Sequence, residues 1–171
     1  RHAVLPHLES ALLEYLRSEF GHVSYERVCS GIGMLNIYGF LRERSSDPEP
    51  EWLTKEREAD GAAAITDAGL ERRDQVASDA VDLMVSIYGA QAGNLALTLM
   101  ATGGVYLGGG IAPRILPRLQ EGTFLRAFTD KGRLSDVLER FPVRVILNEL
   151  TALLGAARHA EVNRPEPAPS A

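Results

Sequence analysis

GGVYLGGGIAPR, residues 103–114, is the stretch on which the reading of this chain turns. The apolar run Val105, Tyr106 and Leu107 ends in three consecutive glycines and then Ile111, Ala112 and Pro113, the pattern of a buried strand, a tight turn and a helix start. Glycines have no Cβ, so such a turn can take up positive φ and let its backbone come into contact with a flat ligand. Pro113 suits a first helical turn, where its missing N–H is no loss. Nucleotide sites are often built in this way. A plain strand-to-helix connection uses the same letters, and the three glycines alone do not separate the two.

Bulk properties narrow the classes around that turn. The chain has 171 residues, 45% of them hydrophobic, enough for one core and therefore one globular domain with a disordered end. No stretch approaches the ~18 uninterrupted apolar residues of a membrane-spanning helix, and the longest apolar helix carries Asp79 and Asp82. The formal charge of −5 and the lack of a Lys/Arg stripe argue against nucleic acid as a partner. Arg72, Arg73, Arg114 and Arg118 are expected on solvated helix faces. Cys29 is the single cysteine, which excludes an internal disulfide, fits a reducing, cytoplasmic setting and reads as a small packed hydrophobe. The chain opens with Arg-His and shows no signal segment, so the expectation is that it was cut from something longer.

The pattern of elements is helix-rich. Pro6, Leu8, Leu12, Leu13, Leu16 and Phe20, closed by Gly21, predict an amphipathic helix followed by a loop. Ser30 is a predicted N-cap for a second helix carrying Met34, Leu35, Tyr38 and Leu41. Residues 45–61 are acidic and contain proline, and read as an exposed connector pinned by Trp52. From Arg72 to Met100 the apolar spacing predicts a long helix, with Gly89 and Gly93 allowing a neighbour to come close. Strands are predicted at 104–108 and 143–147, buried and paired in parallel, with a last helix at 150–159. The class is α/β with helices in excess, and a sheet of only two strands would be marginal, so further strands are expected upstream of Arg1.

Three segments then act together: GHVSYERVCSGIG at 21–33, GNLALTLMATGGVYLGGGIAPR at 93–114 and ALLGAARHA at 152–160, with FTDKGR at 128–133 also fitting. In order and spacing the chain resembles the carboxyl half of the bacterial ATP-dependent glucokinases, over about residues 6–160. The resemblance implies the larger lobe, residues 1–160, of a sugar kinase in the actin-like superfamily, whose two ribonuclease-H-like lobes close over ATP and substrate, with 161–171 as a disordered tail or linker. It also implies that Gly108, Gly109 and Gly110, and more weakly Gly104, contact adenosine, that Gly155 is a close-packing residue, and that Glu26 binds glucose hydroxyls. Around that glutamate, Ser24, Arg27, Val28, Ser30 and Gly31 all match the family's motif.

By the same resemblance the phosphate loops, the catalytic aspartate and a further sugar motif precede Arg1, so no catalytic residue is expected here and the isolated chain is expected to be inactive. Asp60-Gly61-Ala62 is the nearest thing to a phosphate loop and lacks the strand context. The implied function is transfer of the γ-phosphoryl group of ATP, with Mg²⁺, to the 6-hydroxyl of glucose; whether ATP or polyphosphate is the donor stays open at this level. The expected partners are glucose, ATP and the missing amino-terminal lobe, with a homodimer plausible by resemblance. His22 lies four residues before Glu26, but two ligands do not make a site, and no metal site is expected. A sugar-sensing transcriptional regulator or bifunctional kinase on the same fold is the alternative, and a purely structural lobe a third reading.

Overall fold

The computed structural model of the protein describes residues 5–163. Helix α1 (Leu5–Phe20) buries Leu12 and Leu16 and stops at Gly21, whose φ of +68° turns the chain away while its N–H donates to the Arg17 carbonyl at 2.9 Å. A single 3-10 turn follows (Tyr25–Arg27), then α2 (Gly31–Glu43). Ser30 caps α2 as expected, its Oγ accepting from the Gly33 N–H at 3.0 Å.

The expected connector at 45–61 is instead largely helix. Helix α3 runs from Glu51 to Leu70, entered from Pro50 and broken once at Asp60 (φ −150°, ψ +85°). Residues 51–59 are rich in helix-forming Glu, Lys, Arg and Leu, and their charges occupy a solvated face while Leu53 is fully buried. Asp60 restarts the helix by accepting from the Ala63 N–H at 3.3 Å. Trp52 packs against the core as expected, with the Arg73 guanidinium 4.5 Å from its ring centre.

Helix α4 (Gln75–Leu99) is the spine around which the core is built, with Ala80, Val81, Leu83 and Met84 among its buried residues. Gly89 and Gly93 do what the sequence predicted: a Cβ on either would collide with the carbonyl oxygens of Phe124 and Phe128 on α7 (Thr123–Thr129). Tyr88 and Phe124 meet edge to face at 5.4 Å above that contact. Leu95 and Leu99, read as part of the buried stripe, are instead 51% and 74% exposed.

β1 (Val105–Leu107) pairs in parallel with β2 (Val143–Val145), in the register Val105 to Val143 and Leu107 to Val145. Both strands are shorter than expected and neither is buried on both faces. Tyr106 is 60% exposed, and the Arg144 guanidinium lies 5.7 Å from its ring centre. Short helices α5 (Ile111–Arg114), α6 (Leu116–Gln120) and α8 (Ser135–Leu138) connect the strands through α7.

Arg118 departs from expectation. It is 2% exposed, donating to the Gly69 carbonyl at 2.7 Å and to Ser78, and pairing with Glu121 at 3.1 Å and Asp82 at 3.4 Å. It locks α6 onto α3 and α4. Burial raises the Asp82 carboxyl above its usual range despite this cation. At Glu121 burial also pushes upward, but Arg118 and Arg72 prevail and lower it.

Helix α9 (Thr151–Val162) has no buried residue. Gly155 therefore does not act as a close-packing residue among the described residues, since a Cβ there would meet none of them within 4 Å. The helix continues two residues past the expected boundary at 160; residues 164–171 of the expected tail, like 1–4, lie outside the described residues.

Candidate functional site

A cleft of about 310 Å³ opens where the start of α2, the middle of α3 and the turn after β1 converge. Its apolar floor is made by Met34, Ala62, Ala63, Met84, Ile111 and Ile115. At the rim stand Ser30 and Gly31 from one side and Gly110 and Arg114 from the other, with Thr66 between them. A cleft with an apolar lining and a few polar groups can bury a small ligand and orient it.

The glycine turn sits at the carboxyl end of β1, the end of a parallel strand at which α/β proteins hold ligands. Gly109 has φ +91°, a conformation that calls for glycine. Cβ atoms added at Gly109 and Gly110 would meet nothing within 4 Å, so the backbone there is open to an incoming molecule. Gly104 lies at the other end of the strand. Its φ is +114°, and a Cβ would come to 2.8 Å from the Pro142 carbonyl, which itself accepts from the Val105 N–H. Strand pairing by itself accounts for that glycine.

Glu26 is presented to solvent by a fastened turn. The Ser30 hydroxyl donates to the Glu26 carbonyl at 2.6 Å, Asn36 Nδ2 donates to the Arg27 carbonyl at 2.9 Å, and the Arg27 guanidinium lies 4.0 Å above the Phe20 ring. Val28 beneath is buried against Gly33, where any side chain would overlap its backbone. Ser30 thus touches both candidate regions, bonding to the Glu26 turn while lining the cleft that Gly110 closes. The structure brings Glu26, Ser30 and the end of the glycine turn to one side of the molecule and leaves Gly104 apart from them.

Thr66 and Arg114 also line the cleft, with Asp67 paired to Arg114, and the sequence reading gave none of the three a part in a site. Asp67 takes Arg114 in a two-oxygen grip, with Nη2 at 3.0 and 2.9 Å and Nε at 3.3 Å. Burial pushes the Cys29 thiol up to about 11, which disfavours the thiolate. Among the described residues no group of three or more His, Cys, Asp or Glu could hold a metal ion, and no helix is long and apolar enough to cross a membrane.

A helix-rich lobe with a small parallel sheet, and a glycine turn opening on a cleft at the strand's carboxyl end, defines the class of α/β proteins that hold a ligand at strand ends. Sequence comparison makes this specific. A sequence model of the family described as Glucokinase matches residues 2–163, and the chain belongs to that family. A glucokinase of Synechocystis sp. is 44% identical over 164 residues, covering 88% of this chain and 46% of the relative. One from Nostoc punctiforme is likewise 44% identical, with 88% of this chain and 48% of the relative covered. A solved glucokinase from an Antarctic psychrotroph superposes with a TM-score of 0.75 at 30% identity, over 91% of this chain and 46% of that one. The chain thus spans about half the length of the relatives it matches.

Proposed function

We propose that this chain is the larger, actin-like lobe of a glucokinase that transfers the γ-phosphoryl group of ATP to the 6-hydroxyl of glucose. The observation that carries the reading is the cleft shared by Gly110 and Ser30, with the Glu26 turn bonded directly to its rim. In this reading the turn at Gly108–Gly110 lies against adenosine, and the open space beside Gly109 and Gly110 fits a ligand that a side chain would obstruct. The Glu26 carboxylate, an acceptor with two oxygens and no side-chain bond of its own in the structure, takes hydrogen bonds from sugar hydroxyls and orients the ring.

The described residues supply no cluster for Mg²⁺, so no step is assigned to a metal held by this chain. In this reading the phosphate loops and the aspartate that accepts the hydroxyl proton belong to an amino-terminal lobe. The surface left open fits such a partner. Leu150, just before α9, and Leu153 and Leu154 on it are more than half exposed, and apolar grooves flank the two-stranded sheet. A single half-buried thiol suits a cytoplasmic enzyme of central sugar metabolism.

A coupled assay of glucose 6-phosphate formation tests the reading. The whole polypeptide should phosphorylate glucose with ATP, and these 171 residues alone should not. A whole polypeptide that binds both ligands without turnover would instead mark a sugar sensor.

A further inference from the structure

The Glu26 carboxylate has no hydrogen bond of its own, so its place is set by the backbone from which the side chain springs. Bonds made within the turn fix the shape of that backbone. The Tyr25 carbonyl accepts from the Val28 and Cys29 N–H groups at 3.1 and 2.7 Å, and the Glu26 carbonyl accepts from the Ser30 hydroxyl at 2.6 Å. These bonds hold the peptide planes before and after the Glu26 Cα, and two planes that share a Cα fix the direction of its side chain relative to the turn. None of them reaches beyond Ser30, so the place of the whole turn on the molecule depends on other contacts.

Val28 supplies one, buried beneath the turn with its backbone against Gly33. Apolar burial has no direction, and a single point of contact does not stop the turn from tilting. Arg27 rests on the Phe20 ring through a long side chain, which constrains its backbone little. The directional tie comes from Asn36, nine residues further along, whose Nδ2 donates at 2.9 Å to the Arg27 carbonyl, the peptide group that follows that of Glu26. Asn36 stands inside α2, among Met34, Ile37 and Tyr38, which bury that helix in the core. Asparagine is a poor helix former at such a position, and its donor serves a turn outside the helix.

We propose that Asn36 is a positioning residue for the sugar: it ties the Glu26 turn to α2 and so holds the carboxylate where hexose hydroxyls meet it. The inference rests on the reading of Glu26 as the sugar contact. Asn36 acts through Glu26, so once that carboxylate is gone the tie has nothing left to align.

A double-mutant cycle of Asn36→Ala and Glu26→Gln in the whole polypeptide, read as the KM for glucose at saturating ATP, tests this. Asn36→Ala should raise that KM about fivefold, the worth of one hydrogen bond between uncharged groups. Asn36→Asp, of the same shape but without a donor when ionised, should raise it at least as far. On top of Glu26→Gln, Asn36→Ala should add less than about twofold. Alanine suits a helix interior, so this variant should stay folded, which its melting temperature checks. If Glu26→Gln raises the KM but Asn36→Ala does not, or if Asn36→Ala multiplies it by the same factor with and without the Glu26 carboxylate, this inference alone is overturned. If Glu26→Gln leaves the KM unchanged, Glu26 does not hold the sugar, and that part of the functional reading falls with the inference.

Discussion

Arg42 and Asp74 are joined by two hydrogen bonds, Nη2 to Oδ1 at 2.9 Å and to Oδ2 at 3.1 Å, and the same Asp74 carboxylate caps α4 by accepting from the Ala77 N–H at 2.7 Å. Arg42 also donates to the Tyr38 hydroxyl, which passes its own proton to Glu49 at 2.8 Å. The Asp74 side chain is 9% exposed and that of Arg42 16%, so solvent does little to screen the pair. Removing one partner of such a pair strands the other and also uncaps the helix that forms the spine. Asp74→Ala should therefore cost about 3 kcal/mol, and Asp74→Asn, which keeps the cap acceptor, about 1 kcal/mol less than that. Urea unfolding of the two variants checks the order, and an alanine variant within about 0.5 kcal/mol of wild type would remove this network from the account of stability.

Gly93 marks where α4 and α7 come closest. A methyl group there would run into the Phe128 carbonyl oxygen and come to 3.1 Å from the Lys131 side chain, and backbone on backbone leaves little room to yield. Gly93→Ala should destabilise the protein by about 2 kcal/mol even though alanine is the better helix former. Gly155→Ala is the matched control on α9, where the added methyl group meets nothing within 4 Å and helix propensity alone should act. Equal melting temperatures for the two variants would show that the α4–α7 approach is not tight.

These two glycines also show which parts of the structure could be read in the sequence. Gly89 and Gly93, four residues apart on an apolar helix, signal a close neighbour by themselves, and Ser30 before an apolar run signals a helix start. Helix α3 was missed for a physical reason: in EWLTKEREAD most of the helix surface faces water, so its mean polarity resembles that of a connector, and Leu53 is its one fully buried residue, beside the half-buried Trp52. Losing α3 hid half of the cleft, since Ala62, Ala63 and Thr66 lie on it. Arg118 looked solvated because the Gly69 carbonyl and the Ser78 hydroxyl that neutralise its burial are 49 and 40 residues away in the chain. The exposure of Tyr106 on β1 and of the leucines on α9 has no local signal, because residue spacing marks an apolar face without saying what covers it. Glu26 was singled out through its motif alone; an acidic residue in a polar loop carries no other mark.

Cys29 offers a check that needs no ligand. Burial raises its thiol from 9.0 to about 11, so at pH 8 the native protein holds about a hundredfold less thiolate than the unfolded chain. A disulfide-exchange reagent should label it correspondingly slowly until denaturant is added. The shift also fixes the sign of the pH effect. The unfolded chain loses this proton first, so its contribution to folding declines as pH rises from about 9 to about 11 and is constant below that window. Labelling as fast in buffer as in denaturant would mean that the thiol is not enclosed as described.

Glu26 can be altered without touching its scaffold, because Ser30 bonds to the backbone carbonyl of Glu26 and not to its carboxylate. Glu26→Gln should leave the melting temperature unchanged. In the whole enzyme, on the function proposed above, the same change replaces one charged acceptor oxygen by an amide donor that cannot accept a sugar hydroxyl. A hydrogen bond to a charged group contributes about 1.5 to 3 kcal/mol, which corresponds to a rise of roughly tenfold to a hundredfold in the sugar KM. The KM for ATP should stay within about twofold, since the nucleotide is read in the neighbouring cleft. A separate effect on the sugar is the signature of direct contact, for a turn merely loosened by the substitution would disturb Ser30 and raise both constants together.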